Sequence, residues 1–162
     1  MNIDKFIYDQ AINAGFSKKL AMLIIGQARL ESADYTNNQF KTNNNIFGFK
    51  FVNQALAIRG NKSPEGDFYA KYKSPNDSVK DYIERYFSFS RGGVSTQDLK
   101  NSTDSTDFAN KLKQRGFFGI TAKQYAAGIE AKLKSIDLTK LAVGGGIFII
   151  LAIVLYIVIK KK

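Results

Sequence analysis

Apolar residues recur at helical spacing through most of this chain, and one run, Ser17 to Ser32, is apolar almost all the way round. Leu20, Ala21, Leu23, Ile24, Ile25, Ala28 and Leu30 leave little polar circumference, which predicts a helix buried inside a domain, with Ser17 as its N-cap. On a 3.6-residue period Ile24, Gln27, Ala28 and Glu31 share one face, so the helix finishes on a carboxylate with an amide one turn behind it. Upstream, Ile3, Phe6, Ile7, Ala11 and Ala14 form the apolar face of a second helix, capped by Asn2 and stopped by Gly15. Met1 to Gly15 therefore reads as part of the fold rather than as an export signal, and the two helices as a hairpin.

Beyond Ser32 the pattern changes. Residues 33–45 are polar and turn-prone and predict a loop, and the short apolar run Ile46 to Phe51 around Gly48 predicts a segment folded back on the core. Gln54–Arg59 and Phe68–Lys73 have extended character and flank the turn formers GNKSPEGD, which predicts a β-hairpin. Phe68, Ala70 and Tyr72 would face one side, Tyr69, Lys71 and Lys73 the other. Ser74-Pro75 opens a helix carrying Val79, Tyr82, Ile83, Tyr86 and Phe87 at helical spacing. Arg91 to Thr106 predicts a loop with one helical turn around Gln97 to Lys100. A short helix with Phe108 and Leu112 then runs to Arg115 and ends at Gly116. Thr121 to Gln124 has the form of a capping box, and Tyr125, Ile129, Leu133 and Ile136 continue an amphipathic helix. The fold class expected is mainly α (α+β), with a small β-hairpin lobe.

The segment Leu141 to Ile159 has no charged residue and is followed by Lys160, Lys161 and Lys162. At 1.5 Å per residue it is about 28 Å long, the thickness of a bilayer's hydrocarbon core, and predicts a membrane span. The terminal lysine cluster favours an interior C-terminus. The expected organisation is thus a domain over residues 1–137 and a transmembrane helix with a basic tail over 138–162.

Composition narrows the chemistry. The net charge of +10 comes from 24 Lys and Arg against 14 Asp and Glu. It suits an anionic polymer or surface, but the basic residues are dispersed and form no nucleic-acid stripe, so no nucleic-acid partner is expected. The absence of His and Cys removes Ser-His and Cys-His nucleophiles, imidazole or thiolate zinc sites and disulfides. No cofactor or metal is expected. An enzyme built from this inventory works with carboxylates, tyrosines, lysines or amides, and glycoside cleavage fits that set. Glu31 is the candidate general acid, the competing reading of the residue by itself being a glutamate that ends a helix at the surface. Partial desolvation and the negative end of the helix dipole both raise a glutamate pKa, which allows proton donation near neutral pH.

Gln27-Ala28-Arg29-Leu30-Glu31-Ser32, followed by Asn44-Asn45-Ile46-Phe47-Gly48-Phe49-Lys50, resembles the autolysin and flagellar type of endo-β-N-acetylglucosaminidase. The first stretch is similar to that family's Gln-Ala-x-x-Glu-Ser and the second to its Asn-Leu-Phe-Gly-Ile-Lys. Ala70 to Tyr82 resembles the family's aromatic strand and the helix after it, and Gly116-Phe117 with Tyr125-Ala126 its closing segment. The resemblance implies a lysozyme-like helical fold, a catalytic role for Glu31, and substrate contacts from Gln27, Asn45, Phe47, Lys50, Tyr72 and Tyr125. Ala33-Asp34 replaces the family's Gly-Trp and the chain has no Trp, so Tyr or Phe would supply the stacking. The resemblance implies a second acidic residue in the β-lobe, for which Glu65 and Asp67 in the hairpin turn are the candidates, with turn formation as their alternative role.

The resemblance implies a peptidoglycan-degrading glycosidase with peptidoglycan as its partner. Lytic transglycosylation by the same fold, and a catalytically inactive wall-binding structural membrane protein, are the competing readings. A wall-cleaving domain with a C-terminal span fits a bacteriophage virion membrane, among virion proteins, or a bacterial membrane, with the enzyme facing the wall.

Overall fold

Ser17 accepts a hydrogen bond from Leu20 N at 3.1 Å and starts the helix on which the others assemble. The computed structural model describes residues 2–141. Helix α1 spans Ile3–Asn13 and helix α2 Lys18–Glu31, forming the expected hairpin, with the turn at Gly15 in the left-handed region (φ 78°). Every residue of α2 from Leu23 to Ala28 is buried, Gln27 included. The chain turns off α2 through Ala33, Asp34 and Tyr35, three consecutive non-glycine residues at φ 49°, 54° and 64°. That conformation is unfavourable for L-residues and is held from both sides. Tyr35 donates to Asp4 at 2.5 Å, and Asp4 also accepts from the Arg29 guanidinium; Asp34 pairs with Lys132.

The stretch expected to be all loop contains a short helix, α3 (Asn38–Asn43). Asn37 caps it, accepting from Phe40 N at 2.9 Å, and also donates to the Glu31 carbonyl at 2.7 Å, closing the end of α2. The lobe that follows is an antiparallel pair, β1 (Ala57–Lys62) and β2 (Phe68–Tyr72), with Ala57 opposite Tyr72 and Arg59 opposite Ala70. The first strand begins three residues later than the extended pattern suggests. Gln54 is the reason: its buried side chain accepts from Val52 N and donates to Lys50 O, and its carbonyl closes a turn onto Ala57 N. On the other edge of β2, Phe51 N bonds Phe68 O and Ala70 N bonds Phe49 O. The segment around Gly48 is thereby laced to the lobe.

Ser74 and Asp77 form a capping box for α4 (Pro75–Lys80), which continues as a π-helical turn (Asp81–Arg85) and a 3-10 turn (Tyr86–Ser88). Asp81, buried at that irregularity, accepts from the Tyr72 hydroxyl at 2.7 Å and pairs with Arg85 at 2.6 Å. Two further capped helices follow, α5 (Thr96–Lys100) and α6 (Ser105–Gln114). After them Arg115 is buried, its charge satisfied by the carbonyls of Tyr86, Phe89 and Val94. Helix α7 (Ala122–Leu133), opened by the Thr121–Gln124 capping box, lies against α2. The two approach closely because each offers a glycine. A Cβ on Gly26 would come 2.9 Å from Ile129 Cγ2, and one on Gly128 would come 2.9 Å from Leu30 Cδ2.

The packed body continues past Asp137 through a 3-10 turn (Leu138–Lys140), and both Ile136 and Leu141 are buried in the core. Apart from Leu141, the expected span Leu141–Ile159 lies outside the described residues. Among the described residues no helix is long and apolar enough to cross a membrane.

Candidate active site

Glu31 ends α2 half-buried, and the Tyr125 hydroxyl on α7 donates to its Oε1. Burial raises the Glu31 pKa above the ordinary carboxylate value, and the Tyr125 hydrogen bond only partly opposes that rise. The same pairing, with burial as the larger cause, drives the Tyr125 hydroxyl well above its usual pKa, so it remains a protonated donor. On the other side stands the turn at Gly48 (φ 67°), where an added Cβ would lie 4.0 Å from Glu31 Oε2. A side chain at that position would be strained by the positive φ and would meet the carboxylate at ordinary contact distance. Glu31 thus sits at the meeting of α2, α7 and the Gly48 loop, partly desolvated and still open to solvent.

Behind it is a polar group sealed from water. Gln27 is fully buried and its Oε1 accepts from the Tyr82 hydroxyl at 2.5 Å. Gln27 Nε2 has no hydrogen-bond partner among the described residues, although the amide is near enough to the Tyr125 hydroxyl to hold that pKa down slightly. Beside these groups runs an aromatic array. Phe47 stacks on Tyr82 at 4.0 Å, Phe49 meets Phe117 edge-on at 5.9 Å, and Phe118 stacks on Tyr125 at 3.7 Å. Phe49, Phe117 and Phe118 are half-buried and keep part of their surface exposed.

The structure brings Gln27, Glu31 and Tyr125 together and separates the other expected residues from them by role. Asn45 is fully buried: it donates to Phe49 O at 2.8 Å and Ala70 O at 3.0 Å and accepts from Phe49 N, so it shapes the Gly48 loop. Phe47 is buried under Tyr82. Tyr72 is buried with its hydroxyl on Asp81, and burial together with that carboxylate raises its pKa. The expectation that Asn45, Phe47 and Tyr72 contact substrate is corrected accordingly: all three are buried and present next to no surface to a sugar. Gln27, equally buried, also has none.

Lys50 is half-buried, pairs with Glu65 at 2.8 Å and lies 4.3 Å over the Tyr69 ring. Its hydrogen bond to Glu65 is the largest of the causes that hold the exposed Glu65 carboxyl down to about 2. Asp67 is exposed at the edge of a hollow of about 330 Å³ that Lys50, Phe51 and Arg59 also line. That hollow belongs to the lobe and does not include Glu31. No other acidic group contributes to the Glu31 pKa among the described residues. Nor is any cluster of His, Cys, Asp or Glu among them arranged to hold a metal.

Sequence reasoning missed Phe49 and Phe118 as individual surfaces and Tyr82 as the partner of Gln27. The Phe117-Phe118 pair directly after the Gly116 stop was the available signal for the aromatic edge.

The model of the glucosaminidase family, described as mannosyl-glycoprotein endo-beta-N-acetylglucosaminidase, matches residues 12–138. No curated protein matches the sequence. Among solved structures, a peptidoglycan hydrolase from Sphingomonas sp. A1 superposes with a TM-score of 0.63 at 20% identity, covering 88% of this chain and 97% of that one. The catalytic domain of the autolysin Auto from Listeria monocytogenes gives 0.56 at 22% identity over 86% and 83% of the two chains. A chain of a type VI secretion effector–immunity complex from Pseudomonas protegens gives 0.54 at 18% identity over 82% and 96%. At these identities the likeness is one of fold.

Proposed function

Since this chain belongs to the glucosaminidase family, we propose that it is a peptidoglycan glycoside hydrolase, that Glu31 is its general acid and that the glycan strand is cut beside it. One observation carries the reading: a half-buried carboxylate at the end of α2, its pKa raised by desolvation, is held by a tyrosine and approached by a glycine turn. Desolvation raises the Glu31 pKa above the ordinary carboxylate value and so favours the protonated form that a general acid needs. As the glycosidic bond breaks, the Glu31 proton passes to the departing oxygen, which takes the bonding electron pair, and positive charge develops at the sugar's anomeric carbon. The Tyr125 hydroxyl then stabilises the carboxylate left behind. Phe49, Phe117 and Phe118 offer the exposed ring surface on which sugar faces stack in a chain without Trp.

The fate of the anomeric carbon divides two readings. In hydrolysis, water adds there, assisted by a lobe carboxylate (Glu65 or Asp67) or preceded by attack of the sugar's own N-acetyl oxygen. In lytic transglycosylation an internal hydroxyl adds instead and leaves an anhydro-sugar end. Family membership favours the first. Digestion of purified wall followed by mass spectrometry of the fragments separates them: free reducing ends mark hydrolysis, and products lighter by one water mark the transglycosylase.

The proposal extends to placement. The uncharged run Leu141–Ile159 with its lysine tail would anchor the enzyme in a phage virion membrane or a bacterial membrane, with the domain facing the wall. Partition of the full chain into the membrane fraction, resistant to salt and released by detergent, is the expected result.

A further inference from the structure

Gln27 has no solvent-exposed surface, one satisfied end and one unsatisfied end. Tyr82 fixes the amide by donating to Oε1, so Nε2 is the free donor, and Gln27 stands one turn of α2 behind Glu31, the acceptor of the Tyr125 hydroxyl's hydrogen bond. An unpaired amide N–H in a closed interior is costly, and such a group is retained where an acceptor nearby makes use of it. The acceptor at hand is the Tyr125 hydroxyl oxygen, whose own proton is already committed to Glu31 Oε1.

We propose that Gln27 is a positioning residue: with Oε1 fixed by Tyr82, its Nε2 donates to the Tyr125 hydroxyl oxygen and keeps the Tyr125 proton directed at Glu31 Oε1. Tyr82, Gln27, Tyr125 and Glu31 then form one chain of donors running in a single direction. Because Oε1 is occupied as an acceptor, the acidic proton resides on Oε2, the oxygen on the Gly48 side. A hydroxyl that accepts a hydrogen bond is a stronger donor, so Gln27 also strengthens the Tyr125 bond to the carboxylate that forms as the proton leaves. Gln27 does this without touching substrate.

This inference rests on Glu31 being the general acid, and its test separates the two. Steady-state cleavage of soluble wall glycan fragments by the full chain is compared for Gln27→Met, Tyr82→Phe and Tyr125→Phe, and for Gln27→Met and Tyr82→Phe each combined with Tyr125→Phe. Gln27→Met is expected to lower kcat about tenfold with KM changed less than about twofold, and Tyr82→Phe to lower kcat to a smaller extent. Both effects vanish in the Tyr125→Phe background, because the hydroxyl through which they act is gone. If Gln27→Met does not fold, Tyr82→Phe, which removes one buried oxygen, decides the question alone. A raised KM with kcat kept, or single-variant losses that multiply in full with Tyr125→Phe, overturns the proposal. Wild-type cleavage by Glu31→Gln overturns the general-acid reading instead.

Discussion

The Tyr125 hydroxyl donates to Glu31 Oε1 across the packed faces of α7 and α2, joining two residues 94 positions apart in the chain. That bond favours the ionised carboxylate, while burial favours the protonated one more strongly. The balance determines the pH range in which Glu31 can serve as an acid.

Tyr125→Phe removes the contribution that lowers the Glu31 pKa and leaves desolvation unopposed. A general acid acts in its protonated form, so activity is present below the Glu31 pKa and is lost as pH rises through it. The variant's alkaline limb in kcat/KM therefore moves to higher pH. Its kcat falls roughly ten- to hundredfold, as expected for the loss of a charge-assisted hydrogen bond worth about 1.5–3 kcal/mol. A pH–rate profile of both proteins checks the two effects together.

Gly26→Ala tests whether helix approach sets that bond. The new methyl would come 2.9 Å from Ile129 Cγ2 and 3.1 Å from the Ile129 carbonyl oxygen, so α7 must shift outward and carry Tyr125 with it. The expected cost is about 1–3 kcal/mol in denaturant unfolding, with a loss of kcat that Gly15→Ala, at a turn with open space around it, does not reproduce.

Ala33→Gly should stabilise the protein by roughly 1 kcal/mol. Ala33 has φ 49°, a region glycine enters without the steric cost an L-residue meets. Thermal unfolding measures the gain. The neighbouring Asp34 is less suitable for this test because its carboxylate pairs with Lys132 and Arg29.

Much of this arrangement was legible in the sequence, and the remainder shows where one-dimensional pattern runs out. The apolar density of residues 17–32 marks α2 and puts Glu31 at its end, and the capping residues Ser74, Thr121 and Asn2 mark helix starts that the structure keeps. Helix α3 escaped because its six residues, NQFKTN, carry a single apolar side chain, and side-chain bonds such as Asn37 to Phe40 N hold it instead. The β1 boundary moved because Gln54, polar by type, turns inward to close a loop. Hydrophobicity alone does not say whether an aromatic side chain is buried or presented to substrate, so Phe47 and Tyr72 read as substrate contacts although both are buried. The left-handed run Ala33–Tyr35 had no glycine to announce it. Pairing of Gln27 with Tyr82, 55 positions away, is a product of tertiary structure with no local signal.

The lobe carboxylates give a sharper separation. Glu65 is exposed, ion-paired with Lys50 and held down to about 2, so it is ionised throughout the working range and donates no proton. Glu65→Gln is expected to keep at least about a third of wild-type kcat. Asp67→Asn is expected to do the same if the N-acetyl group or an internal hydroxyl completes the reaction. A loss of about a hundredfold or more in either variant, the size of effect a missing general base produces, identifies that residue as the second catalyst. Initial rates on purified wall are the measurement.

The most direct test of the account is the cleavage rate of Glu31→Gln on purified peptidoglycan, measured beside its unfolding curve. The amide keeps the shape of the side chain and accepts the Tyr125 hydrogen bond but has no proton to donate, so the rate is predicted to fall by about a hundredfold or more with the fold intact. A folded Glu31→Gln protein that cleaves at more than about a tenth of the wild-type rate would contradict the assignment of Glu31 as the general acid.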